Sequence, residues 1–529
     1  MAVNTWDGAT DTDWNTAGNW NTTGVTDRVP TADDDVVIAN VSNDPVIGSG
    51  LNPTINSLTI ESGGDLDANS NTITIDGKNG SNYSLDNQGT ITNTLNVKVT
   101  GDGGHIREQG TGGINNLEVD LGGSSEYHRL SDSTTITGNL TITEGDFQAN
   151  GRNLTVEGNT TIGKGASAGG ADEATLTCSS GTISLGSTYS SDYGLYVKRG
   201  GTFVGNTGEH TMGSISMEDY ATAKLTLTTH ANGTTLNAGD YGSDYIVAVG
   251  ADSTITSTNS LLVLATSKTE ATYNLNLHDH FNNLTVNSSG KKFYIQQATT
   301  LAGNLTITAG DIDTTASNHA LTVGTNTDDG GATGHLLILD DGELVCNSSD
   351  VIVGSVYCQI AGGSSGAGYA ELNLPDASGS FTVRGPEKNG YVFRLDNEAE
   401  CNHNNGTITF AITAETGSTA MDLKSNQGTQ VNNILVTQSE SGTSSTSSLQ
   451  FIGSDVVKGN LTLTGNGTNT CNVDSNYNGA SFTIEGDVTI NSDAKLGVRS
   501  TNTGDWTFGS LTIASGGTYI ATSGTTTIT

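Results

Sequence analysis

The sequence is short of cations, cysteine, proline and long apolar runs, and each shortage excludes something. Lys and Arg number 20 against 56 Asp and Glu in 529 residues, a formal charge of −36 at pH 7. Such a surface repels nucleic acid and anionic membrane, and it lacks the basic footprint that phosphate contacts require. The five cysteines, at 178, 346, 358, 401 and 471, are odd in number, show no CxxC spacing and lie in no His-rich pattern. No disulfide framework is implied, so nothing supports an oxidising export route. No run approaches the ~20 apolar residues needed to cross a bilayer, and Met1 leads into AVNTWDGATDTDW without the charged start and apolar stretch of a secretory leader. Phosphate loops, HExxH and GxSxG signatures are not evident. Nor is there a stretch rich in Ala, Leu, Glu and Lys with helical period.

What is present is Gly, Thr, Ser and Asn, with apolar residues gathered in short alternations. GNLTITEGD (Gly138 to Asp146), GNLTITAGD (Gly303 to Asp311) and GNLTLTGN (Gly459 to Asn466) are three copies of one period-two strand between a Gly-Asn entry and a Gly exit. INNLEV, FNNLTV and VNNILV precede the three copies, starting at Ile114, Phe281 and Val431. Self-similarity of this kind marks a repeat architecture. A solenoid tolerates the low hydrophobicity, because each turn buries a thin inner stripe and shares it with its neighbours. The expected fold is therefore all-β, a parallel β-helix (β-solenoid), right-handed by the usual preference of parallel crossovers. A turn of ~20 to 25 residues predicts about 22 turns and a rod on the order of 100 Å. Asn at the recurrent NN and GN positions is expected to stack in ladders bonded to side chains and backbone.

The first 35 residues differ from the rest. Trp6, Trp14 and Trp20 are three of the four tryptophans, in an Asp- and Asn-rich stretch expected to be irregular and to cap the exposed end of the solenoid. Residues 36–113 read as the first turns, 114–280 as module 1, 281–430 as module 2 and 431–529 as module 3. Trp6, Gly8, Asp13-Trp14, Asn19-Trp20, Pro30 and Asp34 to Ile38 resemble the opening W-x-G, DW, NW, P, DDVVI of β-solenoid surface and virion proteins of marine bacteriophages, also found in secreted adhesins of gliding bacteria. The likeness covers about forty residues, and the SLTI-x-SGG turns from Ser57 resemble the repeats that follow in those proteins. It implies an external structural role: a virion fibre, appendage or surface decoration. The implied partners are other virion proteins, further copies of the chain or a host surface glycan. A cell-surface adhesin or filament of a marine bacterium is the alternative, and a polysaccharide depolymerase a second.

Candidate functional residues follow from that frame. Trp6, Trp14 and Trp20 serve the cap or, on the other reading, stack sugar rings. Tyr189, Tyr193, Tyr196, Tyr241, Tyr245 and Tyr369 fall in three segments that break the short period (Tyr189 to Tyr196, Ala238 to Ile246, Gly362 to Glu387) and are expected to project as recognition loops. No catalytic set is expected. Asp33-Asp34-Asp35, Asp328-Asp329 and Asp340-Asp341 are the densest carboxylates, and runs of this kind arise readily in so acidic a chain. His278 and His280 would share one face of a strand with no third ligand in sight. Calcium is the one cofactor left open, through Asp-rich Gly turns such as Thr327 to His335, although the calcium-roll nonapeptide is absent.

Overall fold

The computed structural model describes residues 2–165, 173–186, 194–237, 245–266, 268, 270–324, 334–359, 369–385, 391–396, 399–412, 418–423, 431–438, 448–452, 456–467, 470–475, 479, 481–498 and 503–529. It is all-β, a β-solenoid of about 17 turns of stacked parallel strands. Among the described residues the only helical element is one 3-10 turn, Ala17–Asn19. Contacts divide the chain into unit 1 (Met1–Leu261 with Thr266–Lys268) and unit 2 (Leu262–Ala265 with Thr269–Thr529).

The turns are fewer than expected because some use more residues, as unit 2 shows beside unit 1. In unit 1 the ladder Val36, Leu58, Leu85, Ile106 advances by 22, 27 and 21 residues (58−36, 85−58, 106−85). In unit 2 the ladder Leu321, Val351, Phe381, Ile408 advances by 30, 30 and 27 (351−321, 381−351, 408−381). Strand length is set by the alternation, while the connectors absorb the variation.

Alternation does its work inside. Val36, Leu58, Leu85, Ile106 and Leu130 are all fully buried, each contributing about 1.5–3 kcal/mol relative to an exposed side chain. The five cysteines are free and buried in the same way, as small apolar residues. Burial pushes the thiols of Cys401 and Cys471 up to about 12, so they stay protonated and unreactive.

The Gly-Asn dipeptides have a specific explanation. The Asn116 side-chain oxygen accepts the Asn139 backbone N–H at 2.8 Å, and Asn139 in turn accepts that of Asn159 at 2.8 Å. Asn283 and Asn304 repeat the relay to Asn304 and His335 at 2.9 and 2.8 Å. In the third copy Asn433 and Asn460 pass it to Asn460 and Asp487 at 2.9 and 2.8 Å. The glycine before each receiving Asn lies against the incoming amide. A Cβ on Gly138, Gly303 or Gly459 would come within 2.4, 2.3 and 2.3 Å of Asn116, Asn283 and Asn433 Oδ1, so only glycine fits beneath the ladder.

Candidate functional site

The N-terminal segment is more ordered than its composition suggests. Ala2–Trp6 pairs in parallel with Asp34–Ile38 and is covered on its other side by Trp20–Thr22, the antiparallel member of an otherwise parallel set of described strand ladders. Reversing direction in this way closes a sheet edge. The rings of Trp6 and Trp20 meet edge to face at 4.9 Å, and those of Trp14 and Trp20 at 4.8 Å. Trp6 Nε1 donates to Asn43 O at 2.6 Å and Trp20 Nε1 to Trp14 O at 2.8 Å. The three side chains are at most 1% exposed. No ring face is open, so sugar stacking on these tryptophans is ruled out.

The other residues of the opening motif also have internal duties. Asn19 accepts the N–H groups of Thr10 and Asp11, both at 2.9 Å, and donates to Asp11 Oδ1 at 2.6 Å and Asp13 O at 3.0 Å, which shapes the loop ahead of Trp14. Gly8 has φ +57°, and a Cβ there would meet Asn43 O at 2.5 Å. Pro30 is buried. Asp34 is enclosed and held by both guanidinium arms of Arg28 and by Thr31 N and Oγ1 at 2.8 and 2.9 Å. Burial opposes its charge, but the Arg28 and Thr31 bonds outweigh burial and hold the carboxyl below its ordinary range. Asp35 accepts Asn56 Nδ2 and Ser57 Oγ, each at 2.6 Å. Two members of the acidic triplet are thus committed to holding the first turns together.

The tyrosines divide. Tyr189, Tyr193 and Tyr241 lie outside the described residues. Tyr196 is on the rung strand Leu195–Val197, paired with Thr161 and Ser216; its hydroxyl donates to Glu218 at 3.2 Å and Lys198 Nζ sits 5.2 Å from its ring. Tyr245 opens the strand Tyr245–Ala248. Tyr369 is 53% exposed. The segment from 362 to 387 is not wholly a loop: Glu371–Asn373 and Ser380–Val383 are rung strands. The described parts of these stretches include ordinary rungs.

Charged groups form columns rather than cages. On unit 2, Lys292, Asp311, Glu343, Glu371 and Glu400 succeed one another in register. Lys292 Nζ lies 3.6 Å from Asp311 and 3.8 Å from Asp313. Burial first, and then Asp311 and Glu371, push the Glu343 carboxyl above its ordinary range. One carboxylate per rung makes a line, and among the described residues no three His, Cys, Asp or Glu side chains gather closely enough to hold a metal ion. The stretch proposed for calcium is outside the described residues up to Gly334. His278 sits in a turn with φ +49°, not on a strand, and its ring centre is 6.0 Å from that of His280. Asp341 accepts Ser289 Oγ at 2.8 Å, while Asp328 and Asp329 fall outside the described residues.

Residues 5–117 match a domain of unknown function (DUF8693). The match spans the tryptophan-rich closure and the first turns, about a fifth of the chain, and its description assigns no chemistry. No curated protein and no solved structure matches.

Proposed function

We propose that the chain is a non-catalytic structural protein of a bacteriophage particle, a fibre, appendage or surface decoration. On this reading a stiff ladder holds attachment surfaces in fixed register. The observation that supports it most is that the opening motif, which carries the resemblance to external virion and surface proteins most specifically, is spent on closing a solenoid edge. Trp6, Trp14, Asn19, Trp20 and Asp34 are each buried and, Trp14 through its backbone, bonded within the fold. The charge of −36 keeps a long β surface soluble and discourages sideways strand pairing. Gold-labelled antibody against this protein should decorate intact particles at a fixed position. Label confined to host-cell envelopes would replace the virion reading with the adhesin. Shortening of capsule or alginate chains by the purified protein would replace it with the depolymerase, for which the Asp311 to Glu400 column would be the first place to mutate.

A further inference from the structure

One outer face of unit 1 gathers basic and aromatic side chains in an otherwise acidic chain, with Asp86 and Asp146 in register beside them. The strands Tyr83–Asn87, Gly104–Glu108 and Tyr127–Leu130 lie in successive turns and align Tyr83, His105 and Arg129 in one column. Tyr83 and His105 meet edge to face at 5.9 Å. The Arg107 guanidinium lies 4.5 Å from the Tyr83 ring centre, and that of Arg129 lies 4.4 Å from the Tyr127 ring centre. Lys78 extends the patch: its Nζ donates to Gly103 O at 3.2 Å. All six side chains are half-buried.

The charges here are not all used. Arg107 is fixed by Asp86, which takes both its Nε, at 2.7 Å, and an Nη. Arg129 makes no ion pair among the described residues, and its Nε is enclosed without a hydrogen-bond partner. In a chain with 56 carboxylates, an arginine set over a tyrosine ring and without an ion pair among the described residues has been kept from its own acidic side chains. Burial first, and then Arg129 and Lys78, hold His105 below its ordinary value, which fits a locally positive field.

We propose that this face binds an anionic polysaccharide, a chain of carboxylated or sulfated pyranoses lying across the rungs, with Arg129 as its main anchor. Arginine offers a planar fork of donors that matches carboxylate or sulfate, and stacking on Tyr127 preorganises it. Rungs ~4.8 Å apart repeat at close to the length of one sugar unit, so a chain crossing these three turns meets a new row of donors at each residue, ending where Asp146 follows Tyr127 on the next turn. Nucleic acid fits less well. Base stacking needs open aromatic faces, whereas guanidinium groups lie over Tyr83 and Tyr127, leaving ring edges and hydroxyls. The inference stands whether the solenoid belongs to a particle or to a cell.

Affinity electrophoresis of the whole chain through gels containing alginate, dextran sulfate, neutral dextran or single-stranded DNA tests it. Retardation is expected with alginate or dextran sulfate, the arm that responds telling carboxylate from sulfate, and not with neutral dextran. Arg129→Gln should weaken binding at least about tenfold, the effect of one charge-assisted contact. Tyr127→Phe, which keeps the stacked ring, should weaken it a few fold. Lys458→Gln on unit 2, an equal change in charge, should leave it intact. Far-UV circular dichroism confirms that each variant is folded. The proposal is overturned by no retardation in either acidic gel, by wild-type affinity in Arg129→Gln, or by DNA binding as tight and as sensitive to Arg129.

Discussion

Units 1 and 2 follow the same rung rule but fill equivalent inward positions with different chemistry. Unit 1 admits titratable groups. His128 sits inward between Gly104 and Phe147, with Nε2 2.8 Å from Ser84 Oγ, and His210 lies between Ile183 and Thr234 against Phe203. Burial pushes both imidazoles down to about 4. Glu108, half-buried, stands beside Asn87; its Oε2 accepts Asn87 Nδ2 at 3.0 Å while Oε1 is enclosed without a partner. Burial pushes this carboxyl up to about 7. Unit 2 also encloses an imidazole, His335, whose Nδ1 lies 2.7 Å from Ser355 Oγ, but it holds four of the five cysteines inside and carries an outer column of carboxylates. A parallel ladder fixes the backbone and leaves each column free to change, so one scaffold takes histidines and a glutamate in one unit and most of the cysteines in the other.

The sharpest way to break the comparison is at the closure of unit 1. Trp20→Ala removes the ring that touches both Trp6 and Trp14 and should cost about 3–5 kcal/mol. Hydrogen exchange should show lost protection in the first turns and unchanged protection in unit 2. Next come the buried histidines. Their folded values of about 4 lie below the ordinary 6.5, so the unfolded chain takes up protons first. The stability of unit 1 should therefore fall as pH drops from 6.5 to 4, by on the order of 3 kcal/mol per histidine. Denaturant midpoints across that range check this, and His210→Phe should flatten the slope.

Glu108 acts in the opposite direction. Its folded value of about 7 exceeds the ordinary 4.5, so its favourable contribution is complete below pH 4.5 and is lost as pH rises through 7. Glu108→Gln should raise stability above pH 7 by on the order of 2–3 kcal/mol and remove the decline between pH 4.5 and about 7. The smallest effect belongs to unit 2. Glu343→Gln relieves a column of like charges on a half-exposed face and should stabilise by only a few tenths of a kcal/mol at neutral pH, an increment that salt erases.

Much of this fold is legible in the residues, for identifiable reasons. LTIT alternation survives in every copy because one face of each rung is buried, and the tryptophan cluster announces a closure because nothing else in so polar a stretch needs such large rings. The number of turns is not legible, since connectors lengthen without disturbing the strands. Nor are the partners of the asparagines. Asn116 reaches Asn139 over 23 residues and Asn139 reaches Asn159 over 20 (139−116, 159−139), a separation that only register reveals. The Tyr83, His105, Arg129 column is hidden for the same cause. Steps of 22 and 24 residues (105−83, 129−105) separate three residue types with nothing in common until they stack. A search for outward aromatic and basic positions one turn apart would have found them.

The asparagine relay also makes the chain divisible. Each Gly-Asn site offers the same standard fitting, with an amide oxygen below, a backbone N–H above and no Cβ between. A deletion that joins Thr137 directly to Gly303 presents Asn116 with the amide of Asn304 in place of that of Asn139, and the fitting is unchanged. Whole cassettes of turns can thus be dropped, doubled or exchanged between such sites without redesigning a single strand, which is how a lineage could alter length while keeping its closure.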